Sequence, residues 1–323
     1  MNLADRYGQM IEDFVSSTSF PEKPQRLYDP IRYSLAEGGK RLRPMFVLMA
    51  CGLFRDDVSG SLPAAAAVEL FHNFTLLHDD IMDNAPLRRG RPSVWSEWNA
   101  NVAILSGDSM MIYSYAELAR TAGKSLPAVM EYFNEAAIRV CEGQQYDMDF
   151  EARDNVTLRE HIAMIELKTS ALFVGAVSMG AVVGGASEED IKNLRDFALE
   201  FGIAFQMQDD LLDSYGDSRL GKTVGGDILE GKKTFLKMNA MAAASPNDRT
   251  ELAMIHKDIR YSPDEKIRKV LGIYDRYGVR RATEDEIGRR FEVAASSLGK
   301  LSVQPESVAV FRDFALGLLG RNK

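Results

Sequence analysis

The spacing of apolar and polar positions predicts helices along nearly the whole chain. Apolar runs of helical period follow a Ser or Thr with an acidic residue three positions later, the pattern of an N-terminal capping box. No convincing segment alternates apolar and polar residues between turn residues, as a half-buried strand does. We therefore predict an all-α protein of roughly a dozen helices. The four predicted capping boxes are Thr157/Glu160, Ser187/Asp190, Ser262/Glu265 and Thr283/Glu286.

The helical pattern is interrupted by glycine and proline clusters but by no low-complexity linker. The length of 323 residues is compatible with two domains or with one large helical domain. Because no linker separates two halves, we predict a single domain over residues 1–323.

One stretch resembles a membrane span. Residues 169–187, TSALFVGAVSMGAVVGGAS, carry no charge and are just long enough to cross a bilayer. The stretch is solitary, is diluted by small residues and has no basic flank. We predict a central buried helix that neighbours approach closely, and no transmembrane anchor.

Composition and charge narrow the class of protein. With 46% hydrophobic and 27% charged residues, the chain is typical of soluble globular proteins. Cys51 and Cys141 fit neither a disulfide framework nor a zinc site, and residues 1–14 contain no apolar signal core. We expect a cytoplasmic protein. The net charge of -8 argues against nucleic acid as a partner, since phosphate backbones require broad basic surfaces.

Two segments of the form D-D-x-x-D end apolar helical patterns, at residues 79–83 and 209–213. Ionised carboxylates must meet water, cations or a metal, because burying each one unpaired costs several kcal/mol. Exposed acidic helix ends are one interpretation, but two copies near basic residues favour metal sites at a shared cavity. At helical spacing, single faces carry His72, Thr75, Asp79 and Asp83 on the first helix, and Gln206, Asp209 and Asp213 on the second.

The ligands at these sites would all be oxygens, which indicates a hard cation. Mg²⁺ prefers carboxylates supplemented by water and phosphate oxygens, and basic residues would bind the rest of a polyanionic phosphate. Solvated charged faces are the ordinary alternative for such basic runs. The basic clusters beside the carboxylate motifs are Lys40, Arg41 and Arg43; Arg88, Arg89 and Arg91; and Lys232 and Lys233.

Residues 216–223 also spell G-x-x-x-x-G-K-T, the Walker A pattern of nucleotide-binding loops. A functional loop of this kind follows a strand and opens an apolar helix. This one follows an Asp-rich helix and precedes a polar segment broken by glycines. We interpret the match as fortuitous and expect Lys222 to contact phosphate as an ordinary side chain.

Seven motifs together resemble those of the trans-prenyltransferases, the chain-elongating isoprenyl diphosphate synthases. The resemblance implies the isoprenoid synthase fold, a helical bundle around a central substrate cavity. The motifs are GGKRLRP (38–44), LLHDDIMD (76–83), RRGRPSV (88–94), LKTSAL (167–172), FQMQDDLLD (205–213), GKTVGGD (221–227) and GKKTF (231–235).

The resemblance also implies a reaction, the head-to-tail condensation of isopentenyl diphosphate with an allylic diphosphate. Asp79, Asp83 and Asp209 would bind three Mg²⁺ ions at the allylic diphosphate, with neighbouring aspartates in support. The other implied contacts are Arg88, Lys168, Lys222 and Lys232 to the allylic diphosphate; Lys40, Arg43, His72 and Arg89 to isopentenyl diphosphate; and Thr169 and Gln206 to the carbocation.

Product length is set in this family by residues below the first Asp motif. Phe74, five residues before Asp79, stands where relatives often place an aromatic pocket floor, and Thr75 is small. We expect geranylgeranyl diphosphate, with farnesyl diphosphate as the alternative. Trp95 occupies a position where many relatives carry histidine and would affect the pocket mouth.

Family behaviour implies a homodimer. Two other functions remain open, a class I terpene cyclase and a non-catalytic partner subunit of another synthase. The second D-D-x-x-D and the GGKRLRP segment argue against the cyclase, and two intact Asp motifs argue against a silent subunit.

Overall fold

The computed structural model describes residues 2–36, 39–121, 123–216 and 225–320. Helices dominate these ranges, so the prediction of an all-α protein is confirmed. They contain sixteen α-helical segments, more than predicted, because short ones such as Val94–Glu97 and Gly226–Glu230 have no long apolar period.

The helices follow one another with short connections. A π-helical segment, Glu166–Ser170, joins α8 to α9. In chain order they are α1 (Leu3–Ser17), α2 (Gln25–Ala36), α3 (Leu42–Gly52), α4 (Leu62–Met82), α5 (Val94–Glu97), α6 (Ala100–Leu118), α7 (Leu126–Glu151), α8 (Leu158–Ile165), α9 (Ala171–Gly184), α10 (Glu188–Tyr215), α11 (Gly226–Glu230), α12 (Phe235–Ala243), α13 (Pro246–Met254), α14 (Pro263–Arg276), α15 (Val279–Leu298) and α16 (Pro305–Leu319).

A two-stranded hairpin follows α4, a feature that the sequence pattern did not predict. Strands β1 (Leu87–Arg88) and β2 (Arg91–Pro92) are antiparallel, with Arg88 opposite Arg91. Strands of two residues are too short to show an alternating pattern. The described part of the chain has no other strand.

The predicted capping boxes are confirmed at Thr157 and Ser262, where hydroxyl and glutamate each bind the other residue's backbone N–H. Ser187 caps α10 by accepting a hydrogen bond from the Asp190 N–H at 3.1 Å. The box predicted at Thr283 is wrong. Thr283 lies inside α15, and its buried hydroxyl donates to the Val279 carbonyl at 2.9 Å.

The chain divides into two compact units. The first comprises Met1–Ala137, Leu172–Arg195 and Leu301–Phe311. Within it, α4 packs along α6, and the Phe46 ring lies edge-on to Phe173 at 5.3 Å between centroids. This packing fixes the C-terminal end of α4, which carries the first Asp motif.

The second unit comprises Ile138–Ala171, Asp196–Lys300 and Arg312–Lys323. Its part of α10 is anchored by buried aromatic rings, with Phe197 stacked on Phe201 at 5.6 Å. The second Asp motif follows on the same helix. The single domain expected over residues 1–323 stays a prediction.

The uncharged stretch lies inside a longer helical run, Leu158–Gly184. This run is long and apolar enough to cross a membrane, but 83% of its most apolar window is buried within the protein. A core helix of a soluble protein has the same length and composition, and the burial agrees with the prediction of a central buried helix.

Candidate active site

The first Asp motif places adjacent carboxylates in different environments. Asp79 is partly buried and Asp83 is exposed one turn later, whereas Asp80 is buried. Arg88 donates to Asp80 Oδ1 from Nε at 2.8 Å and from Nη2 at 2.5 Å. Burial raises the pKa of the Asp80 carboxyl, and Arg88 opposes that shift. Asp80 therefore holds Arg88 beside the helix end that carries Asp79 and Asp83.

The hairpin turn brings a second arginine to Gly39. Arg89 has a left-handed backbone, with φ of 52°, and its guanidinium packs on Gly39. A Cβ on Gly39 would lie 2.9 Å from Arg89 Nη1, and φ at Gly39 is 148°. Only glycine fits there without strain. The turn therefore places Arg89 beside the backbone that leads into Lys40.

Arg43 and His72 are in direct contact, with Arg43 Nη1 3.0 Å from His72 Nε2. Burial, followed by the positive charges of Arg43 and Arg89, holds the pKa of His72 well below its ordinary value. A neutral imidazole accepts the hydrogen bond that Arg43 donates. The structure therefore brings together three of the residues expected to contact isopentenyl diphosphate, Arg43, His72 and Arg89. The fourth, Lys40, follows Gly39, on which Arg89 packs.

Arg41 does not join this group. Its guanidinium is buried and forms an ion pair with Glu69 at 2.5 Å. The interpretation of Lys40, Arg41 and Arg43 as one anion-binding cluster is therefore wrong for Arg41. Its charge is already balanced inside the protein.

Phe74 lies on the α4 wall that faces α6. Its ring centroid is 5.4 Å from Phe71 and 4.7 Å from His78. On α6, Gly107 leaves room for these rings, since a Cβ there would lie 2.6 Å from His78 Nε2. Phe74 is thus held by aromatic neighbours, and its function as a pocket floor stays a prediction.

Trp95 closes the loop after α4. Its indole Nε1 donates to the Ala85 carbonyl at 2.8 Å, and Ser93 Oγ donates to the same oxygen at 2.7 Å. The tryptophan thus has a local structural function, and its expected effect on a pocket mouth stays a prediction.

In the second unit, Lys168 and Thr169 lie on the π-helical segment. Such segments are rare and occur frequently at functional sites. Helix α7 packs closely against the π-helical segment at Gly143. A Cβ on Gly143 would lie only 2.2 Å from Lys168 N. The backbone of α7 therefore fixes the position of Lys168 and Thr169.

A chain of hydrogen bonds runs from the π-helical segment to the second Asp motif. Thr169 Oγ1 donates to Gln206 Oε1 at 2.9 Å, and Gln206 Nε2 donates to Asp210 Oδ1 at 2.8 Å. Asp210 also accepts from the Phe235 N–H at 3.0 Å. Burial, followed by the charge of Asp227, raises the pKa of Asp210 to about 7. Like Asp80, Asp210 is the buried carboxyl of its motif.

The other predicted residues of this unit surround the same motif. Asp213 accepts from the Asp227 N–H at 3.0 Å, and Lys232 Nζ lies 3.6 Å from Asp227 Oδ1. Asp209 is partly buried. Lys168 Nζ donates to Asp147 Oδ2 at 2.6 Å. Asp147 was missed, because it belongs to no paired motif in the sequence.

A small cavity of about 50 Å³ lies beside these residues. Sequence reasoning also missed its most buried titratable group, His161, which is 2% exposed. Neither ring nitrogen of His161 has a hydrogen-bond partner among the described residues. Burial lowers the pKa of His161 to about 4, although Asp147 opposes the shift. The cavity is lined by Asp147, His161, Met164, Ile165, Lys168, Thr169, Gln206, Asp210, Lys232, Lys233 and Thr234.

The Walker A match is only partly covered, because Lys222 lies outside the described residues. The segment before it is α10, which continues to Tyr215. A nucleotide-binding loop requires a strand at that place. The preceding structure therefore agrees with the interpretation that the match is fortuitous.

The carboxylates expected to bind metal fit Mg²⁺ by the chemistry of their donors. In the described ranges, no three His, Cys, Asp or Glu side chains converge on one point. Mg²⁺ does not require such a cage, since it takes its remaining ligands from water and phosphate oxygens. Asp79, which is partly buried, and Asp83, which is exposed one turn later, would provide the one or two carboxylates that such a site uses.

Comparisons with known proteins agree on one family. Residues 24–274 match the family described as polyprenyl synthetase. The short chain isoprenyl diphosphate synthase of Methanocaldococcus jannaschii is 39% identical over 259 residues, covering 79% of this chain and 78% of that protein.

Solved structures give the same result. The crystal structure of a geranylgeranyl pyrophosphate synthase has a TM-score of 0.93 at 39% identity and covers 100% of both chains. A polyprenyl synthase from Caulobacter crescentus CB15, complexed with calcium and isoprenyl diphosphate, has a TM-score of 0.86 at 26% identity, covering 99% of this chain and 96% of that one. The chain therefore belongs to the polyprenyl synthetase family, and it is a prenyltransferase.

Proposed function

We propose that this chain condenses isopentenyl diphosphate with an allylic diphosphate to give geranylgeranyl diphosphate and free diphosphate. The observation that carries the proposal is the grouping of Arg43 and Arg89 near His72, with Arg43 in contact with His72 and Arg89 packed on Gly39. An enzyme that cyclises a single substrate needs no anion site of this kind in addition to its carboxylate motifs. A condensing enzyme does, because its second substrate carries its own diphosphate.

The carboxylates would bind the metal ions, and the metal ions would bind the diphosphate of the allylic substrate. Asp79, Asp83 and Asp209 would hold three Mg²⁺ ions, while buried Asp80 keeps Arg88 in position for the diphosphate. When bound, Mg²⁺ supplies Lewis-acid stabilisation of the departing diphosphate. The lysines expected to neutralise the same leaving group are Lys168, Lys222 and Lys232.

Thr169 and Gln206 would stabilise the allylic cation with dipoles. Gln206 uses its amide nitrogen to bind Asp210, so its carbonyl oxygen is oriented and accepts from Thr169. Preorganised dipoles stabilise developing charge without rearranging during the reaction. A full negative charge at that place would trap the cation instead of passing it to the second substrate's double bond. The final proton loss would go to the departing diphosphate.

We also propose a cytoplasmic homodimer. Helix α6 has several exposed apolar side chains, including Leu105 at 58% and Ile112 at 67% exposure, two turns apart. Exposed apolar patches of this kind mark interaction surfaces. A second copy of the chain is the occupant that the family resemblance implies.

The test is to incubate the purified chain with labelled isopentenyl diphosphate, Mg²⁺ and one allylic diphosphate at a time, and to size the products. We expect a twenty-carbon diphosphate as the main product. A fifteen-carbon main product would favour the farnesyl alternative. A cyclic hydrocarbon formed without isopentenyl diphosphate would favour the cyclase. Absence of any product from the lone chain would favour the partner subunit.

A further inference from the structure

Arg41 occupies an unusual place in the GGKRLRP segment. It stands between Lys40 and Arg43, yet its side chain is 5% exposed and turns into the protein. Its backbone is left-handed, with φ of 42° and ψ of 38°, immediately before α3 begins at Leu42. A residue other than glycine adopts that conformation only when its surroundings hold it there.

Three acceptors hold the Arg41 guanidinium. Nε donates to Glu12 Oε1 at 2.9 Å, Nη1 to Glu69 Oε1 at 2.5 Å and Nη2 to the Leu35 carbonyl at 2.6 Å. Burial alone lowers the pKa of Arg41, but the charge and hydrogen bonds of Glu69 and Glu12 outweigh burial and raise it. Arg41 thus links α1, α2 and α4 to the start of α3.

Glu69 is fixed in turn by its own helix. Its side chain is 4% exposed, and its Oε1 also accepts from Asn73 Nδ2 at 2.9 Å. Asn73 Oδ1 then accepts from Ser34 Oγ on α2 at 3.1 Å. A buried charge pair with every partner satisfied is rigid, and removing one partner leaves the other charge uncompensated.

Sequence spacing connects this pair to the proposed isopentenyl diphosphate site. Glu69 lies one helical turn before His72, and Arg41 lies two residues before Arg43. The start of α3 and helix α4 are therefore joined twice, by the buried Arg41–Glu69 pair and by the Arg43–His72 contact at 3.0 Å. Both contacts therefore join the start of α3 to the same stretch of α4.

We propose that Arg41 and Glu69 are positioning residues that hold Arg43 and His72 in the geometry that binds the diphosphate of the non-allylic substrate. This inference rests on the proposed function for the identity of that substrate. The first Asp motif begins ten residues after Glu69 on α4. Loss of the pair should therefore affect isopentenyl diphosphate and leave the allylic substrate's affinity nearly unchanged.

The test compares Glu69→Gln with a control, Glu200→Gln, which removes the charge of a partly buried glutamate paired with Arg290 at 2.8 Å. We expect Glu69→Gln to raise KM for isopentenyl diphosphate about tenfold and KM for the allylic diphosphate less than about twofold. The control should change neither constant. Equal rises in both KM values, or a loss of thermal stability with both KM values unchanged, would overturn the inference.

Two further measurements keep the test decisive. Asn73→Ala removes one hydrogen bond from Glu69 and should raise KM for isopentenyl diphosphate about threefold. This variant tests the inference even if Glu69→Gln does not fold. Calorimetric binding of isopentenyl diphosphate alone needs no turnover. If the wild type binds it and Asn73→Ala or Glu69→Gln weakens binding, the inference holds even where condensation fails. If the wild type condenses the substrates normally and the variants bind isopentenyl diphosphate as tightly as the wild type does, this inference is overturned and the proposed function is not.

Discussion

Asp79 and Asp80 are adjacent in the chain, yet Asp80 is buried against the guanidinium of Arg88, whereas Asp79 is only partly buried. In the second motif, Asp210 is likewise the buried neighbour of Asp209. Its carboxyl accepts hydrogen bonds from a backbone N–H and from the Gln206 side-chain amide instead of an arginine. One carboxyl of each motif is thus buried and fixed by hydrogen bonds, and we propose that its less buried neighbour binds metal.

Removing an accessible carboxylate should abolish most of the activity. We expect Asp79→Ala or Asp209→Ala to lower turnover by at least about two orders of magnitude, because leaving-group stabilisation is lost. Steady-state rates at saturating substrates measure the effect, and circular dichroism checks that the helices persist. Asp149→Ala, an exposed acid outside both motifs, is the control. Full activity in excess EDTA would contradict the metal assignment.

His161 should make stability depend on pH. Its pKa is about 4 in the folded protein and 6.5 without burial. Below pH 6.5 the unfolded chain takes up a proton that the folded imidazole refuses. The stability present at neutral pH is therefore lost as the pH falls from 6.5 towards 4.

The variant His161→Phe lacks this dependence. Between pH 7.5 and pH 5, the free energy of unfolding of the wild type should fall by about 2 kcal/mol more than that of the variant. Urea denaturation at the two pH values measures the difference. Parallel losses in both proteins would show that His161 is not the responsible group.

Helical register alone is sufficient to separate Asp79 and Asp83 from Asp80, because side chains on one face of a helix recur at fixed spacing. The same reasoning failed for Arg41. Its charge suggested an anion site, but its left-handed backbone turns the side chain towards Glu69. Partners distant in sequence decide such cases. His161 gave no signal, since a single histidine in an amphipathic helix is compatible with many environments.

At the scale of elements, the π-helical segment depends on the close approach of α7. Gly143→Ala would place a methyl group 2.2 Å from Lys168 N, so one of the two backbones must move. We expect a loss of about 2 kcal/mol in unfolding free energy and about tenfold in turnover. Gly288→Ala, on α15 with nothing within 4 Å, is the matched control and should be neutral or stabilising. Equal effects of the two substitutions would exclude this function of Gly143.

The α4 wall is the element expected to limit product length. Phe74→Ala would remove a ring packed between Phe71 and His78. We expect longer prenyl products at a retained condensation rate, because the proposed anion-binding contacts of α4 are made by other side chains. Chromatographic sizing of labelled products measures the shift. Unchanged product length with retained activity would assign the floor to another residue, such as Phe71.

Local sequence signals located helix starts only where a hydroxyl is free to cap. Thr157 and Ser262 have extended backbones and cap their helices as predicted. Thr283 matches the same pattern, but α15 begins earlier, at Val279, and Thr283 bonds to a carbonyl of the preceding turn. The π-helical segment has no composition of its own. It depends on tertiary contact with α7, which no local pattern reports.

At the scale of the whole molecule, the exposed face of α6 should control assembly. Ile112→Glu would place a charge on this face, and we expect the protein to become monomeric in light scattering after size exclusion, since desolvating an unpaired charge is costly. Ile259→Glu, at a side chain that is 97% exposed elsewhere, is the control and should leave the mass unchanged. A wild-type protein that is already monomeric at micromolar concentration would contradict the homodimer.

The arginines after α4 also have a kinetic consequence. Arg88 is bound to Asp80 and Arg89 is folded onto Gly39, with their turn fixed by left-handed residues. The conformational entropy of these long side chains is therefore lost when the protein folds and not when a ligand arrives. Encounter with a diphosphate should proceed in one fast phase, limited by diffusion and slowed by salt, without a slower rearrangement afterwards.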